Sequence, residues 1–357
     1  MIPRSAIAPL LLLPMPLLSG CREYLRPATR EWAVMGTFAA VSVPYGDSAK
    51  LDRYVLEARQ FFARVNHTLT VYSPSSELAA VNRAAGSEAV RVGNLTGEAI
   101  AAALKYAGLS DGYFDPTVAP LVQKWGFNDG TAPSSAPSPH EIEAILGRTG
   151  FAQVRLSPAR EQDRPGNWQV ELALPGMSLD LGGVAKGFAV DRCFERIRNM
   201  GASDVMVNLG GNIRCSGTAR PDRPWRIGVR NPFDNSQMLG VLEIPDGWSV
   251  ASSGNYERYI MIDGKRYTHI INPRTGYPVA GMAGVTVTAA TAVEADAMST
   301  AFFVMGPDEA QRILPRLPGC QVLFVKDEQP PVLWITPGFG RLFKAEPEFA
   351  ESVRLLH

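Results

Sequence analysis

The amino-acid sequence predicts an α+β protein in which mixed sheets pack against helices. Segments typical of strands and of helices follow one another without the regular strand–helix–strand alternation of a doubly wound sheet. The 357 residues can bury a sizeable core, and 46% hydrophobic with 20% charged residues is ordinary for a soluble globular protein. The formal net charge is +0 and no local run of Lys or Arg stands out, so we expect no nucleic-acid partner.

The N-terminal segment has the layout of a secretory signal peptide. The apolar run at residues 6–18 is too short and too rich in proline to span a membrane. It leads into Leu-Ser-Gly-Cys at residues 18–21, which resembles a bacterial lipobox. We therefore expect a lipoprotein signal peptide at 1–20, a lipidated Cys21 and a linker over 21–31; a plain signal peptide with an incidental cysteine is the alternative. The mature protein would face the periplasm in the bacterial cell envelope and contact the membrane through this anchor alone.

Three further cysteines remain if Cys21 is acylated. They are Cys193, Cys215 and Cys320, an odd number for an oxidising compartment, and none belongs to a CxxC or His–Cys cluster. We expect all three to be small buried residues rather than ligands of a zinc or redox site. A disulfide between two of them is the alternative.

The first part of the chain predicts one strand and several helices. Partial alternation predicts a strand over 31–43, and apolar residues on one face predict a helix over 49–65. Ser76 and Thr96 stand where N-caps are expected, and Pro116 stands at the start of a helix. Residues 128–140 are rich in Ser, Pro and Ala, which predicts an exposed loop.

The later part predicts mainly strands. We expect helices over 139–148, from Ala292 onward, and over 307–315. Short apolar segments bounded by turn residues predict the strands, near residues 151–155, 168–173, 204–208, 212–217, 225–230, 240–245, 248–252, 257–262, 266–271, 285–289, 320–325 and 332–336.

The stretch 178–191, SLDLGGVAKGFAVD, predicts an anion-binding turn. It reads as a short apolar strand that carries Asp180, a Gly182-Gly183 turn and a helix with Lys186 in its first turn. Glycines let a ligand approach the backbone, and the free N–H groups and dipole of a helix start favour a phosphate or diphosphate. The spacing matches neither a P-loop nor GxGxxG, and a tight turn without a ligand is the alternative.

A second candidate site lies at the start of the helix after residue 291. Thr291 and Glu294 match a capping box, which gives Glu294 a structural role and sets the helical register. In that register Asp296 and Thr300 share one face, and Ser299 flanks it. A carboxylate and a hydroxyl, completed by backbone and phosphate oxygens, suit Mg²⁺. The alternative is an aspartate bonded only within its own helix turn.

His269 and several aromatic residues complete the candidates. His269 stands at the end of a predicted strand before an Asn-Pro-Arg-Thr-Gly turn, where an imidazole can act as general acid or base; a purely structural histidine is the alternative. Tyr72, Phe114 and Trp125 lie in loop or turn settings. Each could stack on a flat ligand or belong to the core.

Taken together and in order, these segments resemble the ApbE family, the FAD-dependent flavin transferases of bacterial envelopes. The resemblance spans about residues 33–305. The matching segments are Met35-Gly36-Thr37, YSPSSELAAVN (72–82), GYFDPT (112–117), WGF (125–127), LDLGGVAKGFAVD (179–191), VNLGGN (207–212), ASSGNYER (251–258), HIINPRTG (269–276) and EADAMSTA (294–301).

The resemblance implies a fold and a set of ligands. The fold would be ApbE-like and T-fold-like, one domain over 32–345 made of two intertwined lobes with FAD in the cleft between them. Residues expected to contact FAD are Met35, Tyr72, Tyr113, Phe114, Asp115, Asp180, Lys186 and Ile271. Residues expected to hold Mg²⁺ are Asp296, Thr300, Gly183 through its carbonyl, and Ser299, where the family often has Asp. Ser252 also departs from the family, which commonly has Thr there.

The resemblance also implies an activity. FMN would move from FAD to a threonine hydroxyl of a partner protein, an envelope redox subunit with a short Thr-containing motif, and AMP would be released. His269 would be the base or would steady the leaving phosphate. An FAD pyrophosphatase that gives FMN to water is the near alternative, although Tyr72, by holding the isoalloxazine ring, favours transfer. A non-catalytic flavin-binding lipoprotein is a more distant alternative, because it needs neither His269 nor Asp296.

Overall fold

A nine-stranded sheet lies at the centre of the fold. The structure, a computed structural model, describes residues 26–44, 47–128, 133–159, 167–220 and 223–356. The predicted signal peptide 1–20 and Cys21 lie outside the described residues.

The described residues form α-helices and β-strands that alternate irregularly along the chain. The helices are α1 (Ser48–Leu69), α2 (Glu77–Arg83), α3 (Asn94–Leu109), α4 (Ala119–Lys124), α5 (Pro139–Leu146), α6 (Ala185–Asn199), α7 (Ala292–Ile313) and α8 (Pro337–Leu342). The strands are β1 (Ala28–Val34), β2 (Thr37–Val43), β3 (Val90–Val92), β4 (Val154–Pro158), β5 (Trp168–Leu172), β6 (Val205–Leu209), β7 (Asn212–Ser216), β8 (Trp225–Asn231), β9 (Asp234–Ile244), β10 (Ser249–Gly254), β11 (Tyr259–Ile262), β12 (Lys265–Thr268), β13 (Met282–Ala289), β14 (Gln321–Lys326), β15 (Leu333–Ile335), β16 (Phe343–Ala345) and β17 (Val353–Leu355).

The strands form one large sheet and three small ones. The large sheet has the order β1-β2-β6-β7-β10-β13-β14-β15-β17, and within it only β15 and β17 pair in parallel. The small sheets are β16-β9-β8, β3-β5-β4 and the hairpin β11-β12. This mixed arrangement with packed helices confirms the predicted α+β class. The large sheet extends past both ends of the predicted range 32–345, because β1 begins at Ala28 and β17 ends at Leu355.

The large sheet is covered on both faces. All eight residues of β13 are buried, as expected for a strand with a core on each side. Val285 and Val287 pack into the larger core with helices α1, α3, α6 and α7, whereas Ala283 belongs to a second core with β8 and β9. A third, smaller core surrounds Trp125.

Three local predictions are wrong. The expected strand over 31–43 is a hairpin, because Met35 and Gly36 both adopt positive φ and turn the chain between β1 and β2. The apolar segment before Gly182 is not a strand, since the N–H and C=O of Leu179 bond to the side-chain amide of Asn82 instead of a neighbouring strand. Thr96 is not an N-cap: α3 begins at Asn94, and the Thr96 hydroxyl donates to Glu77.

Other local predictions are confirmed. Ser76 caps α2, Pro116 lies in a short 3₁₀ helix at Pro116–Val118, and Thr291 caps α7. The separate helix expected from residue 307 is the second part of α7, which bends at Gly306. Cys193, Cys215 and Cys320 are buried and free.

No helix among the described residues is both long and apolar enough to cross a membrane.

Candidate active site

An open cleft with a volume of about 1060 Å³ gathers the predicted site residues. Its walls come from the β1–β2 turn, the loops before α6 and after β12, the first turns of α7, and strands of two sheets. A cleft of this size is at the upper end of the range for small-molecule sites, which suits a dinucleotide. The predicted residues that line it are Met35, Tyr72, Tyr113, Phe114, Asp115, Asp180, Gly183, Lys186, His269, Ile271, Asp296 and Thr300.

The Gly-Gly turn before α6 leaves backbone donors available to an anion. Asp180 Oδ1 accepts the N–H of Gly182 at 2.7 Å, and Asp296 Oδ2 accepts the N–H of Gly187 at 2.8 Å. Within the described part of the chain the N–H groups of Gly183 and Lys186 have no such partner, and the Lys186 ammonium forms no ion pair. One ammonium and two backbone donors therefore face the cleft at the start of a helix, as an anion site requires.

Asp296 is a buried carboxylate at the same end of the cleft. Asp296 is only 4% exposed. This burial raises the pKa of its carboxyl group, and the charge of Lys186 opposes the shift. The helices α6 and α7 meet closely here, since a Cβ on Gly187 would lie 2.2 Å from the carbonyl oxygen of Ala292. This close approach is what brings the Gly187 N–H to Asp296.

The other predicted metal-binding residues lie beside Asp296. A Cβ on Gly183 would be 3.2 Å from Thr300 Oγ1, so these two residues are neighbours in the cleft. Ser299 is fully buried instead: its hydroxyl bonds to Ser253 Oγ at 2.8 Å and to the Asp296 carbonyl at 2.8 Å. The structure thus gathers Gly183, Asp296 and Thr300, and commits the Ser299 hydroxyl to other partners.

These oxygen atoms fit a hard cation that also binds a substrate. One carboxylate, one hydroxyl and one carbonyl leave several positions of an octahedral Mg²⁺ for phosphate oxygens and water. The described residues contain no group of three or more His, Cys, Asp or Glu side chains that could hold a metal alone.

His269 follows β12 and is held by the backbone of Arg258. Its backbone N–H donates to the Arg258 carbonyl at 3.1 Å, and its Nδ1 lies 3.1 Å from the same oxygen. Because a carbonyl only accepts, Nδ1 carries the hydrogen and Nε2 keeps a free lone pair. Burial, together with the charges of Arg258 and Lys186, lowers the pKa of His269 to about 4. His269 is thus neutral near pH 7 and able to accept a proton.

The structure separates the aromatic candidates. Tyr72 lies at the cleft rim and is 65% exposed, so its ring is free to stack on a ligand. Phe114 lines the cleft from a buried position. Trp125 is fully buried and donates to the Gly276 carbonyl, which makes it a core residue.

Two of the predicted FAD-contacting residues already have protein partners. Both carboxylate oxygens of Asp115 are used, because they accept hydrogen bonds from Thr117 and from the N–H of Phe151. The Tyr113 hydroxyl bonds to Glu309 and Arg274, and the Arg274 guanidinium lies 3.8 Å from the centre of the Tyr113 ring. Asp115 shapes the turn that places Tyr113 and Phe114, and its Oδ2, which accepts one hydrogen bond, keeps a lone pair for a ligand.

Some cleft residues were not predicted from the sequence. Glu257 and Arg258 line the cleft, as do Phe38 and Arg230. Although Glu257 is exposed to the cleft, desolvation by its surroundings raises the pKa of its carboxyl group, and the nearby charge of Lys186 opposes this shift. The sequence signal that could have identified Glu257 and Arg258 is their position in ASSGNYER, one of the segments that resemble the ApbE family.

Comparison with known proteins gives consistent matches over most of the chain. The model of the ApbE family matches residues 35–324. A protein of Klebsiella pneumoniae (strain 342) named FAD:protein FMN transferase is 29% identical over 338 residues, which covers 92% of this chain and 95% of that protein. A protein of Treponema pallidum with the same name is 32% identical over 316 residues, covering 86% of each. The crystal structure of an ApbE protein from Thermotoga maritima has a TM-score of 0.77 at 30% identity, covering 89% of this chain and all of that one.

Proposed function

The chain belongs to the ApbE family, and we propose that it is a flavin transferase, which moves FMN from FAD to a threonine hydroxyl of a partner protein and releases AMP. The observation that carries the proposal is that Lys186, Asp296 and His269 face one cleft. Lys186 and the helix start offer positive charge for a diphosphate, and His269 offers a base. The relatives named FAD:protein FMN transferase support the same reaction.

The reaction is a displacement at the phosphorus of the FMN half of FAD. The threonine oxygen forms a bond to this phosphorus, the bond to the bridging oxygen breaks, and AMP leaves with that oxygen. His269 Nε2 takes the proton of the threonine hydroxyl, because Nδ1 already donates to the Arg258 carbonyl. The N–H groups of Gly183 and Lys186, with the Lys186 ammonium, hold the diphosphate oxygens.

Asp296, Thr300 and the carbonyl of Gly183 would hold Mg²⁺. Bound there, the ion would neutralise the charge that develops on the diphosphate as the bond breaks. Asp296 needs no rearrangement for this role, since its carboxylate already lies in the cleft with one oxygen fixed by Gly187. The aromatic ring of Tyr72 would stack on the isoalloxazine and keep the FMN half bound during transfer.

We further propose that the mature protein is anchored in the bacterial envelope through a lipid on Cys21 and faces the periplasm. The support is the sequence of residues 1–21, with its apolar run and lipobox. The acceptor would then be an envelope redox subunit with a Thr-containing motif.

The test is an assay of the purified protein with FAD, Mg²⁺ and an acceptor peptide. By acceptor peptide we mean a synthetic peptide centred on the threonine that carries FMN in the source bacterium. We expect the peptide to gain the mass of FMN, with release of AMP, and both products to disappear in EDTA. FMN and AMP with an unchanged peptide would indicate an FAD pyrophosphatase, and bound FAD with neither product would indicate a flavin-binding protein.

A further inference from the structure

One edge of strand β8 is unpaired and runs along the cleft. Strand β8 (Trp225–Asn231) is the outer strand of the small sheet β16-β9-β8 and pairs only with β9. Four consecutive residues, 227–230, line the cleft. Side chains of successive strand residues point to opposite faces, so a row of four consecutive residues indicates that the cleft follows the edge of the strand. It also reaches one face beside Ile227, because Leu242 of β9 lines it too.

The backbone of this edge is free to form hydrogen bonds. In an antiparallel pair every second residue directs its N–H and C=O away from its partner strand. Among the described residues, no backbone group of 225–231 bonds to anything other than β9. The other strands with a free edge in the described part, such as β1, β4 and β17, do not line the cleft.

The edge lies close to the predicted metal-binding residues. Val229 and Arg230 border a small cavity together with Ser253. The hydroxyl of Ser253 in turn lies 2.8 Å from Ser299 Oγ and 3.5 Å from Thr300 Oγ1. A chain segment bound along β8 would therefore bring its own side chains to the end of the cleft where the diphosphate is expected.

We propose that the acceptor protein docks by adding an extended segment to the free edge of β8, so that its flavinylated residue enters the cleft. This inference rests on the proposed function, which supplies the occupant: a polypeptide that must present one hydroxyl beside the diphosphate. Main-chain hydrogen bonds along an edge strand bind a peptide with little dependence on its sequence and fix its register. The regular part of β8, residues 225–229 before the register shifts at Arg230, offers an edge about 17 Å long, enough to align a short acceptor motif.

The first test is an N-methyl scan of the acceptor peptide with the unmodified enzyme. Each N-methyl group removes one backbone donor, and in a paired strand only alternate donors face the partner. We expect kcat/KM to fall by roughly tenfold or more at every second position and to change little at the positions between. A scan without this alternation would overturn the docking mode.

The second test locates the peptide by disulfide cross-linking. Arg226 lies on β8, is exposed, and pairs with Glu243 on the neighbouring strand; Arg155 on the outer strand β4 is exposed and pairs with Glu171 in the same way. We expect Arg226→Cys to form disulfides with acceptor peptides that carry one cysteine each, at positions two residues apart. The matched control Arg155→Cys should form a disulfide with none of them. The native Cys193, Cys215 and Cys320 are buried and should not compete.

The outcomes separate this inference from the function on which it rests. If the unmodified peptide is never labelled with FMN, both proposals fail. If the peptide is labelled but neither alternation nor selective linkage to Arg226→Cys appears, the transferase stands and docking at β8 is refuted. A disulfide between two Arg226→Cys enzyme molecules that blocks FMN transfer to the peptide would assign the edge to a second copy of the chain. This result would also refute docking of the acceptor at β8.

Discussion

At the scale of single residues, His269 has a defined tautomer. Its Nδ1 donates to the Arg258 carbonyl, so only Nε2 can take a proton from an incoming hydroxyl. Glutamine at this position can donate a similar hydrogen bond but cannot act as a base near neutral pH. We expect His269→Gln to slow FMN transfer by roughly 10²-fold or more and to leave FAD affinity nearly unchanged. The rate at which the acceptor peptide gains FMN measures transfer, and an FAD titration measures affinity. Undiminished transfer would remove His269 from the mechanism.

The environment of His269 also predicts a pH dependence of stability. Burial lowers the pKa of His269 to about 4, whereas in the unfolded chain it is close to 6.5. Between these values the unfolded chain binds more protons, so this contribution to the free energy of unfolding is complete above pH 6.5 and is lost as the pH falls towards 4. Urea unfolding at pH 7 and pH 5 should show a larger loss for the unmodified protein than for His269→Gln. Equal losses would contradict the lowered pKa.

Asp296 offers a test of the metal proposal that spares the fold. In Asp296→Asn the side-chain oxygen can still accept the Gly187 N–H, but the negative charge is lost. We therefore expect a folded protein whose Tm is at least as high as that of the unmodified protein, because a buried charge is removed. Its transfer activity should be reduced by about 10²-fold or more and should no longer rise with Mg²⁺. Normal activity of this variant, or of the unmodified protein in EDTA, would show that the metal assignment is wrong.

At the scale of elements, the contact of α6 with α7 assembles the diphosphate end of the cleft. Asp191 on α6 accepts the N–H groups of Ala292 and Val293, and its carboxylate is also paired with Arg214. Thr291 caps the same helix as predicted, but the predicted capping box is incomplete, because among the described residues no hydrogen bond joins the Glu294 carboxylate to the Thr291 N–H. Lys186 and Asp296 thus depend on one tight helix contact for their positions.

Substitution at Gly187 tests this contact. A Cβ there would lie 2.2 Å from the Ala292 carbonyl oxygen and 2.7 Å from the Asp296 Cβ, so the helices must separate. We expect Gly187→Ala to lose about 1–3 kcal/mol of unfolding free energy and most FMN transfer. The control is Gly108→Ala on α3, where a Cβ meets nothing within 4 Å and alanine should stabilise slightly. Urea unfolding measures both variants, and an unaltered stability of Gly187→Ala would contradict the close packing.

The sequence predicted elements well where the determining signals are local. The N-cap Thr291 and the apolar face of α1 lie within the elements that they define, and each was predicted from its own segment. The irregular conformation of the segment ending at Leu181 was not predicted, because the hydrogen-bond partner of Leu179 is the side chain of Asn82, 97 residues away. The β1–β2 turn was missed because Met35, unlike glycine or asparagine, is unusual at positive φ.

At the scale of the whole molecule, the site joins elements that are far apart in the chain. The large sheet places β2 beside β6 and β10 between β7 and β13, and no local pattern encodes that order. Composition and periodicity therefore could not show that Lys186, His269 and Asp296 share a cleft; only the ordered resemblance to the ApbE family predicted it. The free edge of β8 beside that cleft likewise follows from sheet order rather than from sequence.

In the proposed reaction, FMN passes from FAD to a protein hydroxyl in this cleft. The most direct measurement is the reaction of FAD, Mg²⁺ and the acceptor peptide in ¹⁸O-labelled water, with AMP and flavinylated peptide quantified together by mass spectrometry. We expect one AMP for each flavinylated peptide and no ¹⁸O in either product, because the threonine oxygen is the nucleophile. FMN that contains ¹⁸O, together with a peptide that carries no FMN, would rule out this reaction and identify water as the acceptor.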